Sequence, residues 1–466
     1  MNHRPNCPGH LPFTRRHFLF GAAAALPIVG KAEELVTGRA AIRRTARAVV
    51  FFNLNGGPSQ MDTFDFKPYK FTPDDLAPKR HSLGIQWPYG LLPKTAGILE
   101  ESVLVRSMAA WETLHNLGQF YLQVGHAFNA ARAKEMPSIG SVIAYEMAAR
   151  AKATDFLPPF VSMNFPAGAV NGTLIREGFL ESASAPLTLD VRKGGNMPFL
   201  LKDDYRERFH QRLDFLHSFD TSRQLQGAGV NKMMPEWDAF ARGAEKMIRS
   251  PQVSGIFSLS DEERKRYGTS AFGDACLIAR NMVNSGGGAK FILVNQGGWD
   301  HHGDIYGKSD KATMEDPRKR GGLYSNCGEL DPALASLVAD LKAAGKLDRT
   351  LVCVMGEFGR TPGELTDIKG RDHWPGVRSA IFVGGGVKGG RVIGATDDQG
   401  AKITKFEWHK NRPIYPEDVT ATIYSALGID WTKKLGGAPS GREFIYVEDM
   451  SPTGFIGSTE IKELFA

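Results

Sequence analysis

Four loops of this chain carry carboxylates and imidazoles at close spacing. They are Gly56-Gly57-Pro58-Ser59-Gln60-Met61-Asp62-Thr63-Phe64-Asp65, Gly297-Gly298-Trp299-Asp300-His301-His302-Gly303-Asp304, Gly356-Glu357-Phe358-Gly359-Arg360-Thr361-Pro362 and Gly370-Arg371-Asp372-His373-Trp374-Pro375. Carboxylate oxygen and neutral imidazole nitrogen together are the ligand mixture of a divalent cation, whose charge offsets the repulsion between anionic oxygens crowded at one point. Asp300-x-His302 and Asp372-His373 are the compact pairs, with Asp62 or Asp65 and Glu357 as further carboxylates. Of the neighbours His301 and His302, one must turn away if the other ligates. The set suits zinc, calcium, magnesium or manganese and does not choose among them. Arg360 and Arg371 are the cations available to hold an anionic group by a bidentate contact and to steady charge that develops on it. Each feature also has an ordinary reading: Asp62 or Asp65 capping the turn before Lys67-Pro68, Glu357 pairing Arg360, Trp299 and Trp374 filling core. The run Gly384-Gly385-Gly386-Val387-Lys388-Gly389-Gly390 lacks the spacing of a phosphate loop and reads as a tight turn.

Such residues act together only if the chain brings them together, and the elements before the loops suggest how. Residues 47–54 (Arg-Ala-Val-Val-Phe-Phe-Asn-Leu) are the kind of apolar run expected of a strand buried on both faces, ended by Asn55-Gly56-Gly57-Pro58. Residues 102–106, 160–163, 290–295, 350–355 and 379–383 repeat the form. Between several of them lie helical patterns. Asp331 is a good N-cap before Pro332, and Leu334, Leu337, Val338 and Leu341 then recur at helical spacing up to Gly345. Pro416-Glu417-Asp418 opens another helix that runs to Leu427 and stops at Gly428. Strand and helix in alternation predict an α/β fold: a mostly parallel central sheet with helices on both faces, its ligands gathered at the carboxyl ends of the strands. The stretch 174–266, richer in charge and in helix formers, is expected to be a helical insertion within one domain spanning 33–466.

Composition narrows the function classes. With 42% hydrophobic and 23% charged residues, the chain is that of an ordinary globular protein. A net charge of +6, part of it on Arg4, Arg15, Arg16 and Lys31, is too modest to point to nucleic acid. Three of the four cysteines, Cys276, Cys327 and Cys353, follow residue 32, at spacings that form neither a disulfide framework nor a C-x-x-C zinc site, and are expected to fill core. Residues 14–30, Thr-Arg-Arg-His-Phe-Leu-Phe followed by an alanine-rich apolar run, match a twin-arginine export signal, with 1–32 as the expected signal peptide. The expected setting is therefore the periplasm or the exterior, the expected carrier the twin-arginine translocase, and no stable membrane span is expected in the mature chain.

The loops also carry a resemblance. Gly56-Gly57-Pro58-Ser59 with Asp62-Thr63-Phe64-Asp65-x-Lys67-Pro68, Val105-Arg106-Ser107-Met108, Pro137-Ser138-Ile139-Gly140-Ser141, the Asp300 and Glu357 loops, Gly370 to Pro375 and Pro416-Glu417-Asp418 resemble the bacterial "domain of unknown function 1501" family. That family is itself similar to the alkaline phosphatase and sulfatase superfamily. The resemblance implies an alkaline-phosphatase-like fold in which Asp62 or Asp65, Asp300 with His302, and Asp372 with His373 hold metal. Glu357-Phe358 stands where the superfamily usually offers Asp-His. The segment 113–119 lies where the nucleophile is expected and offers Thr113, His115 and Asn116, with His115 as metal ligand or general base; no C-x-P-x-R sulfatase segment follows the first strand. Two functions follow. One is an exported metal-dependent hydrolase of a phosphate or sulfate ester. The other is a non-catalytic relative that binds a sulfated or phosphorylated glycan outside the cytoplasm.

Overall fold

The computed structural model describes residues 34–35, 42–165, 172–191, 205, 207–215, 218, 243–308, 317–451 and 454–466. The expected export segment 14–30, and residues 192–204 and 219–242 of the expected insertion, lie outside the described residues.

Eight strands form one sheet: β1 (Ala48–Leu54), β2 (Ser102–Met108), β3 (Phe160–Met163), β4 (Leu187–Leu189), β5 (Phe291–Gln296), β6 (Thr350–Met355), β7 (Arg378–Val383) and β8 (Arg391–Ile393). Their order across the sheet is β8-β2-β7-β6-β1-β5-β3-β4. β7 runs antiparallel to both neighbours, and every other pair is parallel. β1, β5, β6 and β7 are buried at every position, which for a pleated strand means cover on both faces.

The cover is supplied by α1 (His115–Val124), α2 (Ile139–Ala148), α3 (Ala271–Ser285), α4 (Gly322–Ala343) and α5 (Pro416–Leu427). Val50, Phe52 and Leu54 of β1 share one core with α3 and α4. Val49 and Phe51 share the other with α1, α2 and α5. Each such fully buried side chain contributes roughly 1.5–3 kcal/mol relative to exposure, so a register slip of one residue in β1 would set the two cores against each other.

Strand positions follow the sequence reading within a residue or two, and α5 starts with Pro416 and ends at Gly428, whose φ is 78°. α4 differs. It begins at Gly322, and Pro332 lies inside it. The Asp331 carboxylate does cap a helix, but a different one: it accepts from the backbone N–H groups of Lys94 and Thr95 at 3.1 and 2.7 Å, at the start of Pro93–Ala96. Burial of Leu323, Leu330, Leu334, Leu337 and Leu341 holds the helix through the hydrogen bond that Pro332 cannot make. Within 174–266, Leu187–Leu189 is the edge strand β4, while Gln252–Phe257 and Asp261–Arg266 are helical. Cys276, Cys327 and Cys353 are buried and free. No helix among the described residues is long and apolar enough to cross a membrane.

β6, β1 and β5 are adjacent and parallel in the middle of the sheet. Their carboxyl ends therefore deliver the loops at Gly356, Gly56 and Gly297 side by side.

Candidate metal centre

The loops interlock before any side chain is considered. Gly56 has a φ of 115°, and a Cβ there would lie 2.4 Å from the Asp300 backbone nitrogen, so only glycine lets the β1 loop press against the β5 loop. Gly359–Arg360 and His373–Trp374 form a two-residue antiparallel ribbon, with Arg360 opposite His373. Gln60 clamps that ribbon to the β1 loop, donating to the Arg360 carbonyl and accepting from its N–H, both at 2.8 Å.

Four ligand atoms converge as a result. His115, Asp300, His302 and His373 offer one atom each, all within 4.8 Å of one another. Asp300 Oδ1 lies 3.2 Å from His115 Nε2, 3.0 Å from His302 Nε2 and 3.3 Å from His373 Nε2. The Nε2 atoms of His302 and His373 are 3.0 Å apart. His115 begins α1, where the chain turns in from the exposed residues Thr113 and Leu114. His302 and Asp300 come from the β5 loop and His373 from the ribbon.

Each imidazole is held by its other nitrogen. His115 Nδ1 meets Glu357 Oε1 at 2.7 Å, His302 Nδ1 meets Asp372 Oδ1 at 2.7 Å, and His373 Nδ1 meets the Thr113 carbonyl oxygen at 2.5 Å. An acceptor at Nδ1 keeps a ring proton there and leaves Nε2 as the nitrogen that a cation would meet, which is how metal-binding histidines are oriented. Phe358 packs against the rings of His115 and His373, with centroids 4.9 and 4.6 Å away, and keeps water from that side.

Glu357 and Asp372 thus hold the imidazoles of His115 and His302 rather than joining the four converging atoms. Asp62 and Asp65 stand apart from the cluster. The Asp62 carboxylate accepts from Arg371 Nε at 2.7 Å, Ser59 Oγ at 2.5 Å and Tyr306 Oη at 2.6 Å. Asp65 pairs with Arg106 at 3.0 Å and Lys67 at 3.4 Å. His301, the alternative to His302, turns inward to Asn326 at 3.2 Å; burial, with Arg360 nearby, pushes its pKa down to about 4.

The two arginines are fully buried and engaged. Arg360 donates to Asp300 Oδ1 at 2.5 Å and to the carbonyls of Gly56, Gly57 and Arg371. Arg371 donates to Asp62 and to the carbonyls of Thr361 and Gly363. Both guanidinium groups are spent on contacts within the protein. Thr113 offers the centre its backbone carbonyl, and Asn116 is exposed at the first turn of α1.

The electrostatics fit a cation. Burial disfavours ionisation of Asp300, yet His115, His373 and Arg360 hold its carboxyl far below the usual range. Burial likewise disfavours the His115 cation, but contacts with the Asp300 and Glu357 carboxylates outweigh it and push the ring up to about 9. His115 Nε2 is nevertheless buried with no hydrogen-bond partner of adequate geometry. Three imidazole nitrogens and a carboxylate oxygen gathered within 4.8 Å are a donor set that could hold a divalent cation.

Two residues that the sequence reading missed support the centre. Gln119, one helical turn after His115, donates to Glu357 Oε2 at 2.9 Å, and Asn53 contacts Gln119. The signals were present: the i, i+4 spacing of His115 and Gln119, and an asparagine within an otherwise apolar buried strand.

Comparison with known proteins adds the following. The family model described as "Protein of unknown function (DUF1501)" matches residues 46–451. No curated protein matches the chain. Among solved structures it is similar to the PsFucS1 sulfatase from Pseudoalteromonas sp., with 13% identity over 82% of this chain and 68% of that one and a TM-score of 0.40. It is similar to a protein in the alkaline phosphatase superfamily from Vibrio parahaemolyticus, at 12% identity over 84% and 69% and a TM-score of 0.41. For the phosphonate monoester hydrolase from Silicibacter pomeroyi the values are 12% identity, 90% and 76% coverage, and a TM-score of 0.40.

Proposed function

The chain belongs to the DUF1501 family, and from that membership and its cluster of ligand atoms we propose that it is a metal-dependent hydrolase of a phosphate or sulfate ester that works outside the cytoplasm. One observation carries the reading: His115, His302 and His373 turn their Nε2 atoms toward Asp300 Oδ1 while an acceptor fixes each Nδ1. Three imidazole nitrogens and one carboxylate oxygen within 4.8 Å of one another are the arrangement that a shared cation would use.

A divalent cation held there supplies a Lewis acid that polarises an ester oxygen and lowers the pKa of the attacking group. The chain's own residues set its geometry. Asp300 contributes the anionic ligand and is steadied by Arg360. Glu357 and Asp372 hold His115 and His302, and the Thr113 carbonyl holds His373. Substrate enters from the side of His302 and Asp372, whose side chains are 41% and 61% exposed, since His115 is enclosed by Glu357 and Phe358. Arg360 and Arg371 are engaged by Asp300, Asp62 and backbone carbonyls, so a cation held by His115, Asp300, His302 and His373 would supply the positive charge that meets the ester.

The test is turnover of an aryl phosphate and an aryl sulfate by the purified chain, with and without a chelator. Activity that the chelator abolishes, that zinc or manganese restores and that Asp300→Ala removes supports the proposal. A folded, active preparation free of divalent metal ends it. A second reading, binding of a sulfated or phosphorylated glycan without turnover, draws on Thr113 giving the centre a carbonyl rather than its hydroxyl; glycan retention with no hydrolysis of either ester would favour it. Export by the twin-arginine route belongs to the same proposal. Replacing Arg15 and Arg16 with lysine should leave the chain in the cytoplasm, and unchanged export would refute that part.

A further inference from the structure

Behind Glu357 the site continues into a line of buried amides. Gln119 Nε2 donates to Glu357 Oε2 at 2.9 Å and to Asn53 Oδ1 at 3.2 Å. Asn53 Nδ2 donates to Gln119 Oε1 at 3.0 Å and to Asn295 Oδ1 at 2.8 Å. Asn295 Nδ2 donates in turn to the carbonyl oxygen of Asn164 at 3.1 Å. Gln119 and Asn53 are wholly buried and Asn295 nearly so. Asn53 and Asn295 are register partners on β1 and β5, near the carboxyl ends that deliver the metal loops.

A buried amide left unpaired costs roughly 1–3 kcal/mol, and an apolar residue would satisfy two strands packed in a core at no such risk. The line has a direction that explains it. A carboxylate only accepts, so Gln119 must show Glu357 its NH2 group, which turns its carbonyl oxygen to Asn53. Asn53 must then give its own NH2 to Gln119 and Asn295. Together with the Gly56 N–H, which donates to Glu357 Oε1 at 3.0 Å, the amides hold Glu357 as an acceptor in one orientation. An acceptor at Oε1 requires that His115 keep a proton on Nδ1, so that Nε2, which faces Asp300, is the nitrogen that a cation would take.

We infer that Gln119 and Asn53 are positioning residues of the metal centre: by fixing Glu357 as an acceptor they select the one His115 tautomer able to ligate. The inference rests on the metal-centre reading above and extends it by one layer of the protein, from the residues that hold the imidazoles to those that hold Glu357.

The test measures zinc affinity of the full chain by competition with a chromophoric chelator, alongside melting of the metal-free protein. Gln119→Leu should weaken zinc binding by more than about threefold, up to the roughly 10- to 100-fold that loss of a direct partner such as Glu357 costs. Gln119→Glu keeps the shape but faces Glu357 with an acceptor, and should weaken zinc at least as much; it carries the test if the leucine variant fails to fold. Glu357→Gln added to Gln119→Glu restores a donor–acceptor match and should recover part of the loss. A role limited to packing would lower the metal-free melting temperature and leave zinc affinity within threefold of the parent. That result in a folded Gln119→Glu variant overturns the inference while the metal centre stands. A parent chain that takes up no zinc overturns both.

Discussion

Asp62→Asn separates a structural carboxylate from a ligand. Asp62 and Arg371 are each about 1% exposed in their side chains and pair at 2.7 Å, with a longer contact of 3.4 Å from Arg371 Nη2. Ser59 and Tyr306 donate their hydroxyls to the same carboxylate. Asparagine keeps the shape but removes the counter-charge of a guanidinium that cannot reach water, and it turns an NH2 donor toward groups that are themselves donors. Breaking a buried pair in this way costs about 3–5 kcal/mol. A domain of 150–250 residues shifts its midpoint by about 2–4 °C per kcal/mol and a longer chain by less, so the expected drop is on the order of 5 °C or more. The assay is thermal melting at one fixed scan rate, paired with metal content of the folded protein. The expected result is a lower melting temperature and undiminished metal. A variant that melts with the parent yet loses its metal would refute it, because Asp62 would then be reaching the ion.

Three further outcomes follow from the same contacts. In the metal-free chain His115 is pushed up to about 9, so a cation must displace its proton: zinc affinity should rise with pH below about 9, by up to tenfold per unit, and calorimetry in buffers of different ionisation enthalpy should show proton release. A pH-independent affinity would contradict this. Burial pushes Glu417 up to about 8 against an ordinary value of 4.5, so the folded chain binds that proton more tightly than the unfolded one. Stability from this group is then full below about 4.5 and is lost as pH rises through 8; the melting temperature of Glu417→Gln should gain on the parent over that window, and a constant gap would count against it. Asp372 is 61% exposed, so Asp372→Ala should weaken zinc about tenfold or more while barely moving the metal-free melting temperature; a large loss of stability would show that it does more than hold His302.

The sheet was legible because its central strands are buried on both faces and therefore read as unbroken apolar runs, as in Ala48–Leu54 and Thr350–Met355. Three of the four candidate-site loops were legible because each follows such a strand, and the fourth, at Gly370, because it lies just before β7. Roles within them were not. Sequence spacing cannot tell a carboxylate that joins the cluster of ligand atoms from one that holds an imidazole, and Asp300 and Glu357 differ only in which atoms the fold brings to them. Asp62 and Arg371 sit far apart in the chain, so nothing local reveals that they satisfy each other. α4 was misread at its start for a similar reason: Asp331 caps Pro93–Ala96 through a tertiary contact. The amide line behind Glu357 is visible in sequence only as polar residues out of place in buried segments.

Anomalous diffraction from crystals of the zinc-loaded chain bears most directly on the metal centre. One strong peak is expected at the zinc edge, among His115 Nε2, Asp300 Oδ1, His302 Nε2 and His373 Nε2. A peak beside Asp62 or Asp65, or zinc-loaded crystals with no peak among those four atoms, would contradict it.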